Sequence, residues 1–149
     1  LGRFEISNLE TNSLDSFEKL GSTVFVVDDD DASCQSVSTL IAAFGWNVET
    51  YSSSEAFLDS QRHFHPGCLI TDFRMTGING TGLLRSIRSL NSRMPSIIVS
   101  AIADVRGAVE AMSLGAITVL EKPYQEQELK ENVLRALTLD VLRRETAEW

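Results

Sequence analysis

The chain has 149 residues, 43% hydrophobic and 23% charged, with a formal net charge of −8. That length supports one domain with a full core, and the acidic excess argues against direct contact with nucleic acid, whose phosphates call for Lys and Arg. No apolar run approaches the roughly 20 residues of a membrane span, and Leu1 to Leu20 lack the basic start and apolar centre of a signal peptide, so a cytoplasmic location is expected.

Residues 1–21 are mixed and polar and read as an extension, with a short helical turn near Leu14 to Leu20. From Thr23 onward, short apolar runs alternate with helical stretches, the pattern of βαβ units on a parallel sheet. Val24-Phe25-Val26-Val27 is the first strand. A helix over Ala32 to Phe44 follows, with Val37, Leu40, Ile41 and Phe44 on one face. Gly45 ends it.

Trp46 to Tyr51 is the second strand, and Ser53 or Ser54 caps a helix running to Arg62. Pro66-Gly67 breaks the chain before the third strand, Cys68-Leu69-Ile70. Gly77, Gly80 and Gly82 mark a loop, and Leu83, Leu84, Ile87 and Leu90 mark the third helix. Ile97-Ile98-Val99 is the fourth strand. The fourth helix, Asp104 to Leu114, sets Val105, Ala108, Val109 and Met112 on one stripe. Thr118 to Leu120 is the fifth strand.

The last helix starts near Gln125 and meets no breaker before Trp149. Its stripe is Leu129, Val133, Leu137 and Val141, and a run to Glu145 spans about 30 Å. Five strands, each connection carrying a helix, give an α/β doubly wound sheet with right-handed crossovers. Cys34 and Cys68 belong to no CxxC pair and read as small buried hydrophobes with reduced thiols.

The polar residues that follow the strands carry the chemistry. Asp28-Asp29 follows the first strand, Asp72 the third, Ser100 the fourth, and Glu121-Lys122-Pro123 the fifth. In an open parallel sheet these all arrive at the carboxyl edge, where ligands bind. Asp29 and Asp72 can supply carboxylate ligands to Mg²⁺, with Asp28 reaching it through water and the Arg74 backbone carbonyl joining them. Asp72 is also a competent nucleophile toward phosphorus. Lys122 and the Ser100 hydroxyl could then meet the equatorial oxygens of a transferring phosphoryl group, for which small Ala101 leaves room. Asp30 and Asp31 read instead as acids at a helix start.

The segments Val26-Val27-Asp28-Asp29-Asp30, Leu69-Ile70-Thr71-Asp72-Phe73-Arg74-Met75, Val99-Ser100-Ala101, Ala111-Met112-Ser113-Leu114-Gly115-Ala116 and Glu121-Lys122-Pro123-Tyr124, with Gly80, form a set. Through them the chain, from about Thr23 to Arg135, resembles the receiver domain of two-component response regulators, nearest the FixJ and NarL-like branch. The resemblance implies a flavodoxin-like (CheY-like) five-stranded parallel sheet of order 2-1-3-4-5 with five helices. It implies that Asp72 accepts phosphate from a histidine kinase, that Asp28 and Asp29 hold Mg²⁺, and that Ser100 is the switch hydroxyl. Lys122 would pair with the phosphate, and the Lys122-Pro123 bond would be cis.

The domain division expected on this basis is 1–21 as extension, 22–136 as receiver and 137–149 as the last helix continuing toward an output domain. Such a domain would bind DNA and control transcription. The receiver would not be an enzyme, beyond assisting its own phosphoryl transfer and dephosphorylation. Phosphorylation would act through the face of the fourth helix, fifth strand and fifth helix, with a homodimer as the expected result. Arg106 and Glu110 are candidates on that face.

Two positions depart from the receiver pattern. Thr76 stands where proline is frequent, which predicts a looser loop, and Val119 stands where an aromatic is usual, which puts the coupling of Ser100 to the output face in question. The alternative is a pseudo-receiver, a protein-interaction module without phosphorylation. A third class, a Mg²⁺-dependent phosphohydrolase, would want a second acid where Arg74 stands.

Overall fold

The computed structural model describes residues 17–101, 105–146 and 149. Five strands form one parallel sheet: β1 Thr23–Val27, β2 Asn47–Tyr51, β3 Gly67–Asp72, β4 Ser96–Ser100 and β5 Ala116–Glu121. Their order is β2-β1-β3-β4-β5, as expected. The main helices are α1 Asp31–Ala43, α2 Ser54–Ser60, α3 Gly80–Ser89, α4 Val105–Ser113 and α5 Glu126–Glu145. A helical turn at 17–20 precedes β1, and a 3-10 turn, Arg62–Phe64, follows α2.

β1 is buried at every position because helices cover both faces of the sheet. Its alternate residues feed two cores. Val24 and Val26 join Ile41, Ile70, Leu129 and Leu137 under α1 and α5. Phe25 and Val27 join Phe57, Leu69, Leu84 and Ile98 under α2, α3 and α4. Cys68 is fully buried, and Cys34 is half-buried; both are free thiols.

The helix starts are chemically marked. Asp30 caps α1 by accepting from the Ser33 amide at 2.9 Å, and Ser53 caps α2 by accepting from the Ala56 amide at 3.0 Å. α2 ends at Ser60, two residues before Arg62, because Gln61 turns left-handed at φ 60°.

The stripe expected on α4 is not its buried face. Val109 is 65% exposed and Met112 50% exposed. The described buried residues of α4 are Gly107 and Ala111. Small residues let this helix lie close to the sheet, and the larger ones point outward. The predicted start of α4 at Asp104 and most of the predicted 1–21 extension lie outside the described residues.

α5 follows its predicted stripe. Leu129, Val133, Leu137 and Val141 are buried, and so is Asp140. Packing therefore continues well past position 136 on the same helix. Asp140 accepts from the Gly67 amide at 2.9 Å, from Arg144 Nε at 3.0 Å and from Trp149 Nε1 at 2.9 Å. These bonds tie the end of the helix to the start of β3. Gly67 is obligatory there: its φ is 145°, and a Cβ would stand 1.8 Å from the Thr23 carbonyl oxygen.

Candidate functional site

The carboxyl edge of the sheet gathers the residues singled out in sequence. Val27 pairs with Thr71 in the β1–β3 register, so Asp28 and Asp72 follow side by side on adjacent strands. Asp72 pairs with Val99 of β4, and Ser100 pairs with Glu121 of β5. The backbone ladder extends past the strand ends. The Phe73 amide donates to the Val99 carbonyl at 2.8 Å, and the Lys122 amide to the Ser100 carbonyl at 2.7 Å. Asp28 and Ser100 are buried, Asp72 and Lys122 half-buried, and Asp29 and Arg74 exposed. The Lys122-Pro123 bond is cis.

Each carboxylate is oriented by backbone. Asp28 Oδ1 accepts from the Asp30 amide at 2.9 Å. Asp72 Oδ1 accepts from the Phe73 amide at 2.9 Å. Asp29 Oδ2 accepts from the Thr76 amide at 2.8 Å. Gly80, at the start of α3, permits close approach to this edge: a Cβ there would lie 2.4 Å from the Asp72 carbonyl oxygen.

The electrostatics are those of a crowded acidic site beside one cation. Burial is the main force raising the Asp28 carboxyl above its ordinary range, and the neighbouring Asp72 charge adds to it. Asp72 is likewise raised by burial and by Asp29, while Lys122 pulls it back down. Two carboxylates held partly out of water, with a third nearby, favour a cation among them.

That donor set fits Mg²⁺ in kind, because it is hard oxygen throughout and Mg²⁺ asks for only one or two carboxylates beside waters. It is no ready-made cage: among the described residues, no group of three or more His, Cys, Asp or Glu side chains is placed to hold a metal by itself. The site is thus suited to an ion that keeps much of its water.

Where a looser β3–α3 loop is expected at Thr76, the structure shows a backbone tie to Asp29. A proline there could not donate an amide hydrogen, whereas Thr76 uses its own to hold Asp29. Glu55 Oε1 accepts from the Ile78 amide at 3.0 Å, and Ser54 Oγ donates to the Ile78 carbonyl at 2.9 Å. Glu55 and Ser54 were missed as site-supporting residues. Their only sequence signal is position at the start of α2, where an acid and a serine are ordinary capping residues. Val119 is half-buried and packs against the core under α4.

Comparison with known proteins agrees with this fold. The profile of the response regulator receiver domain matches residues 24–134. The response regulator protein TodT of Pseudomonas putida is 34% identical over 126 residues, covering 85% of this chain and 56% of TodT. The transcriptional regulatory protein FixJ of Bradyrhizobium diazoefficiens is 36% identical over 114 residues, covering 76% of this chain and 56% of FixJ. The chain thus spans just over half the length of these relatives.

Among solved structures, the response regulator StyR superposes with a TM-score of 0.80 at 35% identity, covering 85% of this chain and 64% of StyR. The FixJ-N structure superposes with a TM-score of 0.74 at 36% identity, covering 78% of this chain and 93% of its own. No helix among the described residues is long and apolar enough to cross a membrane. The chain belongs to the response regulator receiver domain family of two-component systems.

Proposed function

We propose that Asp72 is the phosphoacceptor of this receiver and that a histidine kinase is its donor. The observation that carries the reading is the placement of Asp72 beside Asp28 at the sheet edge, with the Lys122 charge acting on it. An Asp72 carboxylate oxygen would bond to phosphorus as the bond from phosphorus to the kinase histidine breaks. The phosphoryl charge would then face the Lys122 ammonium and the Ser100 hydroxyl.

Asp28, Asp29, Asp72 and the Arg74 carbonyl are the groups that would hold Mg²⁺. The ion, when bound, supplies charge neutralisation to the phosphoryl oxygens. Apart from assisting this transfer and the later hydrolysis of the aspartyl phosphate, the chain is no enzyme in this reading. It would work in the cytoplasm.

The output would pass through α4, β5 and α5. Val109 and Met112 are exposed on α4, and Arg106 beside them is exposed too. Glu110 is paired with Arg85 of α3. An exposed apolar pair rimmed by charge suits a homodimer formed on phosphorylation. FixJ, a similar chain, is a transcriptional regulator; control of transcription through a DNA-binding domain following this one is the corresponding proposal here.

The test is intact mass after treatment with acetyl phosphate and Mg²⁺, beside Asp72→Asn. The expected result is a gain of one phosphoryl group in the wild type and none in the variant. A folded, Mg²⁺-binding wild type that gains no mass would leave a protein-interaction module as the better reading.

A further inference from the structure

At the opposite end of the sheet from Asp72 lies an open cleft of about 620 Å³. It is lined by Arg88 in the last turn of α3, by Arg93 in the loop after it, by Ser113 and Gly115 at the end of α4, and by Arg143 of α5. Three guanidinium groups thus converge from two helices and a loop in a chain whose net charge is −8.

The three differ from the ion-paired arginines. Arg62, Arg85 and Arg144 are matched with Glu49, Glu110 and Asp140. Among the described residues, the hydrogen-bond acceptors of Arg88 and Arg143 are all uncharged. Arg88 donates to the Leu114 carbonyl at 2.8 Å and the Ser92 carbonyl at 3.1 Å. Arg143 donates to the Arg93 carbonyl at 3.1 Å. No described Asp or Glu lines the cleft.

Burial, then repulsion from Arg143 and Arg93, lowers the Arg88 pKa to about 10. The group is still charged at neutral pH, so the repulsion persists. Carbonyls at the end of α4 hold Arg88 in place and offset part of its charge, yet exposed Arg93 and half-buried Arg143 have no carboxylate partner among the described residues. A tetrahedral oxyanion is the ligand that an arginine fork binds best, through parallel charge-assisted hydrogen bonds.

We propose that this cleft binds a small phosphate-class anion, with Arg93 and Arg143 as its direct ligands and Arg88 as a fixed supporting charge. The anion supplies the counter-charge that the described part of the chain does not place there. The site is separate from the Asp72 edge by the length of the sheet, so the two can be read independently.

The test is an amide and arginine-side-chain NMR titration of the full chain with inorganic phosphate. EDTA is present to remove divalent ions from the Asp72 edge, and ionic strength is held constant with chloride. Saturable shifts at Leu114, Gly115 and the Arg88 Nε–H, with Asp72 and Lys122 amides unmoved, are expected. Arg93→Gln and Arg143→Gln should each weaken binding about tenfold.

Arg93→Gln spares every hydrogen bond named here, because it is the Arg93 carbonyl that accepts. Its spectrum also reports that it folds. Ser113→Glu, which puts a carboxylate in the cleft, should weaken phosphate binding as well. A parallel titration with O-phosphoserine separates a free anion from a phosphate carried on a larger molecule, and the site stands with either. Linear shifts without saturation, or saturation unchanged in both arginine variants, would overturn it.

Discussion

The amide of Thr76 donates to Asp29 Oδ2 at 2.8 Å, joining the β3–α3 loop to the end of β1. Forty-seven residues separate the two along the chain. The bond makes a candidate Mg²⁺ ligand part of the loop's own scaffolding. Movement of Asp29 toward an ion would therefore pull on this loop, which leads directly from Asp72, the proposed phosphoacceptor, to α3.

Asp29→Ala should loosen that loop. A hydrogen bond to a charged acceptor is worth about 1.5–3 kcal/mol, and this exposed one lies at the low end. Hydrogen exchange at the Thr76 amide should accelerate about tenfold, since about 1.4 kcal/mol is one decade. The same variant should bind Mg²⁺ more weakly in a calorimetric titration. An unchanged Thr76 exchange rate would show that the loop is held by Glu55 and Ser54 alone.

Asp140 is the acid on which the far end of the domain depends. It is fully buried and accepts three hydrogen bonds. Asp140→Ala strands the Gly67 amide, the Arg144 guanidinium and the Trp149 indole together. Breaking a buried pair on one side costs about 3–5 kcal/mol, and the partial solvent access of Arg144 sets this loss toward the lower figure. The urea midpoint should fall sharply, and Trp149 emission should shift as its partner goes. A loss below about 1 kcal/mol would mean that water replaces the carboxylate well.

These two acids mark the limit of what the chain discloses before folding. Asp28, Asp72, Ser100 and Lys122 were legible because each closes an apolar run, and strand ends of a parallel sheet share an edge. Asp140 was not, because its partner Gly67 lies 73 residues away and α5 looks like an ordinary amphipathic helix with an acid near its end. Val109 and Met112 misled for the opposite reason. Helical spacing identifies a stripe, but only the sheet decides that Gly107 and Ala111 face it. The stop of α2 at Gln61 had no glycine to announce it. The arginine cleft was equally hidden, since its members come from α3, from the loop after it and from α5.

His63 gives the domain a pH dependence of known sign. The ring is buried, and burial lowers its pKa below the ordinary value. The unfolded chain therefore takes up the proton first as pH falls. Stability attributable to this group is intact above the unfolded value of about 6.5 and is lost as pH falls through the lower folded value. Urea midpoints at mildly acidic and neutral pH should differ more in the wild type than in His63→Gln. Equal differences in the two proteins would assign the acid sensitivity to other groups.

Lys122 does two separable things in this site. Its charge lowers the pKa of Asp72, against the burial that raises it, and it would meet the phosphoryl oxygens once transfer is complete. Lys122→Ala removes both. Without the ammonium, Asp72 is ionised only at higher pH, so the pH of half-maximal modification by acetyl phosphate should move upward, as read by intact mass. Phosphorylation should still occur at high enough pH, because Asp72, the proposed nucleophile, and the groups proposed to hold Mg²⁺ remain. The phosphorylated variant should nevertheless dimerise poorly in light scattering, since the positioned charge that would draw β5 toward the phosphate is gone. A pH profile that moves while dimerisation stays at the wild-type level would confine Lys122 to the chemistry of Asp72. A profile that stays while dimerisation fails would confine it to the switch.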